Sequence, residues 1–179
     1  MNKLADLISR WDEDEGKPYK GQLFDFDSYD GEGEPPLSCM CAQGQVLHVV
    51  AGWSVDDFRE SGQTKADREV AKLLNISTAH SILLRTINDK RDGAPSVVLT
   101  DPGKVLGDQW SKLLDFWWHL DQMTAEQWAA ARDAAGAAAE IQGAAILKAN
   151  DRGFYFLPKF GLATPDDIPA RPVNYGEAA

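Results

Sequence analysis

The chain has 179 residues, of which 44% are hydrophobic and 26% are charged, and these proportions exclude a fully disordered, collagen-like or disulfide-scaffold protein. The 28 acidic residues outnumber the 18 Lys and Arg, and the formal net charge of −10 disfavours direct binding to nucleic acid or anionic lipid. A single domain of this length can bury a core without staples, so no cofactor and no structural metal are expected.

Residues 1–36 are predicted to form an N-terminal helix followed by an acidic loop segment. The opening sequence, MNKLADLISRWDEDE, contains no apolar run of signal-peptide length, which predicts a cytoplasmic protein. Residues 11–34 carry nine acidic residues against two lysines, a local net charge of −7, with five aromatic residues interleaved. Gly and Pro recur in the same stretch and favour a loop over a stable helix.

This mixture of carboxylates and aromatic rings is the strongest candidate binding surface in the sequence. Carboxylates steer a basic partner, and aromatic side chains supply contact area. The predicted partner is a basic surface on a host or mobile-element protein, where carboxylates would take the place of phosphate. The predicted contact residues are Phe24, Asp25, Phe26, Asp27, Tyr29, Asp30, Glu32 and Glu34.

Residues 37–150 are predicted to form a helical core. The first core helix is expected to begin after Ser38 as its N-cap and to end at Gly52. Residues 35–55 carry no formal charge, but Pro and Gln interrupt the stretch, which favours a buried helix over a membrane span. Further helices are predicted from three capping signals, which are Ser54 with Asp57, Thr64 with Asp67, and Ser77.

The second half of the chain predicts two longer helices and a tail. Asp101 followed by Pro102 predicts the start of a helix that runs to about Gln122, and Thr124 with Gln127 predicts the cap of an Ala-rich helix that ends near Asn150. Residues 151–179 are predicted to be an extended, Pro-rich tail packed on the core, with a short strand or an extended apolar stretch at residues 153–157. The predicted fold is therefore mostly α, a single-domain bundle-like arrangement of helices.

A helical small-molecule or nucleotide pocket is an alternative function. Tryptophan rings could stack on a planar ligand and histidines could recognise its polar groups, although the helical spacing of the tryptophans also predicts core packing. Neither a nucleophile nor a paired acid accompanies the histidines, so no catalytic residue is predicted. The residues of this alternative pocket are His80, Trp110, Trp117, Trp118 and His119.

Residues 67–90 invite comparison with a helix-turn-helix DNA reader. Asn75 lies at the turn, where asparagine tolerates the left-handed conformation, and Ser77 opens the second helix. Ser81 stands where that motif usually has an apolar residue, and apart from Arg85 the second helix has little base-reading chemistry. The acidic chain therefore favours an ordinary helical corner.

Metal ligation is weakly supported by the sequence. The stretch DFDSYDGEGE resembles a calcium loop, but Tyr29 occupies the fifth ligand position. Cys39, Cys41 and His48 could bind zinc or form a Cys–His catalytic pair, yet a closed structural zinc site needs four ligands. The two cysteines are predicted to be reduced core residues.

Six segments carry a resemblance to other proteins, and they are CMCAQGQVLH, LLNISTAHSILLRTIND, DGAPSVVLTDPGKVLGDQ, FWWHLDQMTAEQW, EIQGAAIL and FYFLPKFG. Together they span roughly residues 38 to 162 and are similar to a set of uncharacterised proteins from proteobacterial and phage-related genomes. The resemblance implies a phage or mobile-element setting, in which small acidic proteins often act as inhibitors, immunity factors or nucleic-acid mimics. It implies no site residues.

Overall fold

The computed structural model describes residues 2–90, 95–131 and 154–175. These residues are mostly helical, and the predicted mostly α fold is confirmed. Over the same ranges no β-strand forms, and extended pairing is limited to one antiparallel bridge between Phe24 and Met40. The chain divides into two compact units, one that holds the residues up to Thr100 and one that spans Asp101–Tyr175.

The first unit is organised around its second helix. Helix α2 packs against α1, α4 and α5, and the residues from Ala42 to Leu47 in α2 are all buried. This confirms the predicted buried helix, and none of the described helices is long and apolar enough to cross a bilayer. The helices of this unit are α1 (Lys3–Asp12), α2 (Ala42–Ala51), α3 (Val55–Glu60), α4 (Gln63–Leu73), α5 (Thr78–Lys90) and α6 (Val97–Thr100).

The predicted start of α2 is wrong, whereas its predicted end is confirmed. Ser38 lies within a short 3-10 helix, and α2 begins only at Ala42, with Cys41 as its N-cap. Met40 is extended because it pairs with Phe24, a contact between distant parts of the chain that overrides the local cap signal. Gly52 ends the helix with a φ of 75°, in the left-handed region that glycine tolerates.

Of the other cap predictions in this unit, two are confirmed and one is wrong. Ser54 and Asp57 form the predicted capping box of α3, and the Ser77 hydroxyl accepts from the His80 backbone N–H at 3.0 Å. Thr64 does not cap α4, which begins after Gly62, because the Asp67 carboxylate is used elsewhere. It accepts hydrogen bonds from the side-chain amides of Gln43 and Gln63.

The interior of the first unit contains several buried, hydrogen-bonded polar side chains. The Gln43 amide nitrogen lies 2.9 Å from the Asp67 carboxylate, the Ser81 hydroxyl and the Ser81 carbonyl oxygen. The Gln63 amide donates to the Gln43 side-chain oxygen at 2.8 Å, and the Trp11 indole donates to Gln45 at 2.7 Å. Helices α1, α2, α4 and α5 are therefore joined by buried hydrogen bonds as well as by apolar contacts.

The second unit contains two helices where the sequence predicts one. Helix α7 (Gly103–Leu106) ends at Gly107, whose φ of 80° and ψ of −168° break the helix, and α8 (Trp110–Gln122) then begins. The single helix predicted from Pro102 is therefore wrong, because Gly107 takes a conformation that side chains disfavour. The predicted capping box of Thr124 and Gln127 is confirmed at α9 (Ala125–Ala130), and the rest of the predicted Ala-rich helix lies outside the described residues.

The tail packs on α8. Residues Phe154 to Phe156 form a turn that leads into a 3-10 helix (Leu157–Phe160), so both the predicted short strand and the extended alternative are wrong in the described part of this stretch. The rings of Phe156 and Phe160 lie 5.0 and 5.2 Å from that of Phe116. A second 3-10 helix (Pro165–Asp167) follows, and Arg171 then pairs with Asp115 of α8 at 2.5 Å.

Candidate functional site

The predicted partner-binding residues divide into an exposed set and a buried set. Phe24 and Asp25 are 2% and 4% exposed, so neither reaches the protein surface, and Tyr29 is half-buried. Phe26 is 39% exposed. We define the acidic face as Phe26 with the four exposed carboxylates, Asp27, Asp30, Glu32 and Glu34.

Phe24 anchors the segment that carries the acidic face. Its ring lies 4.7 Å from that of Phe26, 5.2 Å from that of Phe58 and 5.9 Å from that of Tyr29. The chain next to it approaches α2 so closely that a Cβ on Gly44 would lie 2.4 Å from the Leu23 carbonyl oxygen. The predicted role of Phe24 in partner contact is therefore incorrect for this conformation, because its ring fills the interior.

Asp25 shapes the loop from within. One oxygen of its carboxylate accepts from the Asp27 backbone N–H at 3.2 Å and the other accepts from the Ser28 hydroxyl at 2.5 Å. Asp30 similarly accepts from the Glu32 N–H at 3.0 Å, and the Tyr29 hydroxyl donates to the Gly33 carbonyl oxygen. These bonds fix a series of turns in which the exposed acids alternate with glycine. Asp25 therefore stabilises the acidic face without belonging to it.

The charge of the acidic face is left largely uncompensated. In the part of the chain that the structure describes, no Lys or Arg nitrogen lies within 4 Å of the carboxylates of Asp27, Asp30 or Glu32. Glu34 is the exception, at 3.5 Å from His48 Nε2. The Arg59 guanidinium lies 5.5 Å from the centre of the Phe26 ring and pairs with Asp56. A basic partner could thus pair with these carboxylates without first breaking an ion pair within the chain.

A groove of about 780 Å³ borders the acidic face at Glu34. One wall is a face of α1, the other is the last turns of α2, and the segment after Glu34 completes the lining. Its apolar surface comes from Leu7, Pro35, Pro36, Leu37 and Val49, and its ionisable side chains are Lys3, Asp6, Arg10, Glu34 and His48.

His48 is held in a defined orientation at this groove. Its Nδ1 lies 2.7 Å from the Trp53 carbonyl oxygen. Because a carbonyl oxygen only accepts, Nδ1 must carry the proton, and Nε2 faces Glu34. His48 is therefore a positioned polar group with only part of its side chain exposed.

Cys39 and Cys41 are free and buried, as predicted for reduced core residues. Burial raises the pKa of the Cys41 thiol to about 11. It also raises the pKa of Cys39, with the nearby charges of Asp25 and Asp30 acting in the same direction. Neither thiol is activated as a nucleophile. Over residues 2–90, 95–131 and 154–175, no three His, Cys, Asp or Glu side chains converge as ligands for a metal ion.

The residues of the alternative pocket are distributed between the two units. In the first unit, His80 is buried and its Nε2 lies 2.7 Å from the Val98 carbonyl oxygen. In the second unit, Trp117 is buried, whereas the other three residues, Trp110, Trp118 and His119, are half-buried. The Trp118 ring contacts Tyr175, and burial lowers the pKa of His119. The groove described above is lined by none of these residues, and the alternative pocket stays a prediction.

The helical corner at residues 67–90 forms as predicted, with Asn75 at a φ of 51°. From Thr78 to Asp89, however, every side chain of the second helix is buried or half-buried. Arg85 is turned toward the protein, with its Nε 3.4 Å from the Asp67 carboxylate. This geometry suits internal packing, because a recognition helix must present its side chains to the groove of DNA.

No family model, curated protein or solved structure matches this chain. The surface chemistry of the protein is therefore the basis for inferring its function. The sequence pattern predicts the acidic face but not the groove and its two basic residues, Lys3 and Arg10. A detectable signal was present, because Lys3, Leu7 and Arg10 recur at helical spacing and share one face of α1.

Proposed function

We propose that this chain is a non-enzymatic acidic binding protein whose acidic face occupies a basic surface on a partner protein. In this role it acts as an inhibitor, an immunity factor or a nucleic-acid mimic in a phage or mobile-element setting. The observation that carries the proposal is the set of exposed carboxylates on a loop held in place by a buried aromatic anchor.

Three features of the acidic face support this role. The loop is tied down by internal hydrogen bonds, so binding does not require the whole segment to be ordered first. Its carboxylates at Asp27, Asp30 and Glu32 lack basic neighbours among the described residues, so their field is available to steer a partner. Phe26 adds an exposed ring beside the charges.

A cytoplasmic setting is part of the proposal. Cys39 and Cys41 are both free thiols in the interior, and they form no disulfide. Unpaired cysteines are usual in a reducing compartment, where the glutathione pool keeps thiols reduced.

Affinity capture from a bacterial lysate at low and high salt tests the proposal. The informative variant neutralises all four carboxylates of the acidic face with near-isosteric amides (Asp27→Asn, Asp30→Asn, Glu32→Gln and Glu34→Gln). We expect the captured protein to carry a basic surface and to be lost both at high salt and with this acidic-face variant.

A charge-matched control separates the acidic face from net charge. It changes four other exposed carboxylates (Glu60→Gln, Asp108→Asn, Glu126→Gln and Asp166→Asn), so the formal charge changes by the same amount. We expect this control to capture the partner as the unmodified chain does. Capture that is insensitive to salt, or equally reduced in both variants, contradicts the proposal.

A further inference from the structure

The exposed ring of the acidic face carries a cation from the same chain. The guanidinium carbon of Arg59 lies 5.5 Å from the centre of the Phe26 ring, within the range of cation–π attraction. The same guanidinium donates through Nη1 to the Asp56 carboxylate at 3.1 Å. Arg59 therefore shows how a guanidinium can be bound at this point, over an aromatic ring while one N–H group bonds to an acid.

The position of the Phe26 ring is set by the rings behind it. Its centre lies 4.7 Å from that of Phe24, which is 2% exposed and lies 5.2 Å from the Phe58 ring. Phe26 itself is 39% exposed. A guanidinium from another protein would thus meet a ring that is already fixed, and binding would cost little side-chain ordering.

The contacts of Arg59 are of a kind that a partner can replace. The side chains of Arg59 and Asp56 are 58% and 81% exposed, and exposed ion pairs of this type contribute little to stability. Both residues belong to α3, whose capping box is formed by Ser54 and Asp57. Release of Arg59 from the ring would therefore leave the cap of its helix intact.

The charge next to the ring favours a second cation. Asp56 already offsets the charge of Arg59, whereas Asp27, which follows Phe26 in the chain, has no Lys or Arg nitrogen within 4 Å among the described residues. A planar guanidinium can stack on a ring and direct its N–H groups at a carboxylate, whereas an ammonium is a compact, strongly hydrated point charge. A ring beside an unpaired acid therefore suits arginine better than lysine.

We propose that the acidic face binds arginine side chains of its partner in preference to lysine, and that the Phe26 ring is the subsite for one guanidinium. Arg59 is then an internal competitor, which the arginine of the partner displaces from the ring. The inference rests on the proposed function, because it specifies which basic residue the acidic face recognises. The ring supplies a selectivity that carboxylates on a flexible surface would not.

Two peptides of equal side-chain charge, octa-arginine and octalysine, test this selectivity in calorimetric titrations of the full chain at low salt. We expect octa-arginine to bind about fivefold more tightly, the effect of one exposed cation–π contact. The NMR signal of the Arg59 Nε–Hε group reports displacement directly. It should move toward the position of a solvent-exposed arginine when octa-arginine is added, and less when octalysine is added.

Substitutions separate the ring from the charges. Phe26→Leu keeps an apolar side chain without a ring and should reduce the preference for octa-arginine to within about twofold, whereas Phe26→Tyr should retain it. Arg59→Gln uncovers the ring and should raise the affinity for octa-arginine about threefold more than that for octalysine. Arg68→Gln is the charge-matched control, because Arg68 is an exposed arginine on α4, and it should leave the ratio of the two affinities unchanged.

The possible failures are distinguishable. An unchanged preference in Phe26→Leu, equal affinity of the unmodified chain for the two peptides, or an Arg59 signal that ignores octa-arginine would overturn the subsite and leave the acidic face as a surface for basic partners. Absence of binding by both peptides, or equal binding of octa-arginine to the acidic-face variant, would contradict the proposed function and this inference with it. Because Phe26 and Arg59 are exposed, their replacement should not unfold the chain, and the amide spectrum checks this.

Discussion

The interiors of the two units differ in how many polar side chains they bury. In the first unit, buried amide and carboxylate side chains such as Gln43 and Asp67 join α2, α4 and α5. In the second unit, the rings of Phe116, Phe156 and Phe160 pack together, with Trp117 buried on the same helix as Phe116. Polarity alone is therefore a poor guide to burial in this protein, and an acidic residue can belong to the core as readily as to a binding face.

The largest expected effect is in the aromatic interior. Trp117 is 1% exposed, so Trp117→Ala should lower the free energy of unfolding by about 3 to 5 kcal/mol, the usual cost of emptying a large aromatic site. Denaturant titration followed by circular dichroism measures this. Trp128→Ala is the control. Because Trp128 is 37% exposed, its replacement should lower the free energy of unfolding far less. A Trp117→Ala protein that kept its stability but lost a small ligand would instead favour the alternative pocket.

Substitution in the polar interior of the first unit should lower stability nearly as much. Gln43→Leu removes the donor that serves Asp67 and Ser81, so buried acceptors lose a partner at a cost of about 2 to 3 kcal/mol. The same titration measures the loss. Gln22→Leu makes the same chemical change at an exposed position, and it should change the free energy of unfolding by no more than about 0.5 kcal/mol. Equal stability of the two variants would show that the buried network contributes little.

The ion pair between Arg171 and Asp115 should have the next largest effect on stability. The side chains of Arg171 and Asp115 are 18% and 13% exposed, and Arg171 also donates to the Ser111 carbonyl oxygen at 2.9 Å. Breaking this partly buried pair with Arg171→Gln should cost about 1 to 2 kcal/mol, between the values for surface and buried pairs. Thermal unfolding checks it, and Arg171→Lys should recover part of the loss. No difference from the unmodified chain would mean that ring packing alone holds the tail.

The elements that the sequence predicts correctly depend on neighbouring residues. The capping boxes at Ser54 and Thr124, and the left-handed Asn75 and Gly52, follow from interactions within a few positions. Two of the errors arise where distant contacts dominate. Met40 is extended because it pairs with Phe24, and Asp67 leaves its predicted capping position to bond with Gln43.

The candidate site follows the same rule. The charge of the acidic face is a property of composition, so Asp27, Asp30, Glu32 and Glu34 could be identified without a structure. The burial of Phe24 and Asp25 depends on how this segment packs against α2 and Phe58, which spacing along the chain does not reveal. The groove likewise exists only once α1 and α2 are packed together.

The smallest expected effect on stability belongs to the acidic face. The free energy of unfolding of the acidic-face variant should lie within about 0.5 kcal/mol of that of the unmodified chain. The four carboxylates are exposed, and the amides retain the side-chain oxygens that accept backbone hydrogen bonds. Denaturant titration checks this. A larger loss would mean that these acids hold the fold, and would remove the contrast with Gln43 and Asp67.

The most direct test of the central claim is the affinity of the captured basic partner, measured by calorimetry at low and high salt. It is compared for the unmodified chain, the acidic-face variant and the charge-matched control. The account predicts that the acidic-face variant binds at least about tenfold more weakly at low salt and depends less on salt, whereas the control binds normally. Equal affinity of the unmodified chain and the acidic-face variant would contradict it.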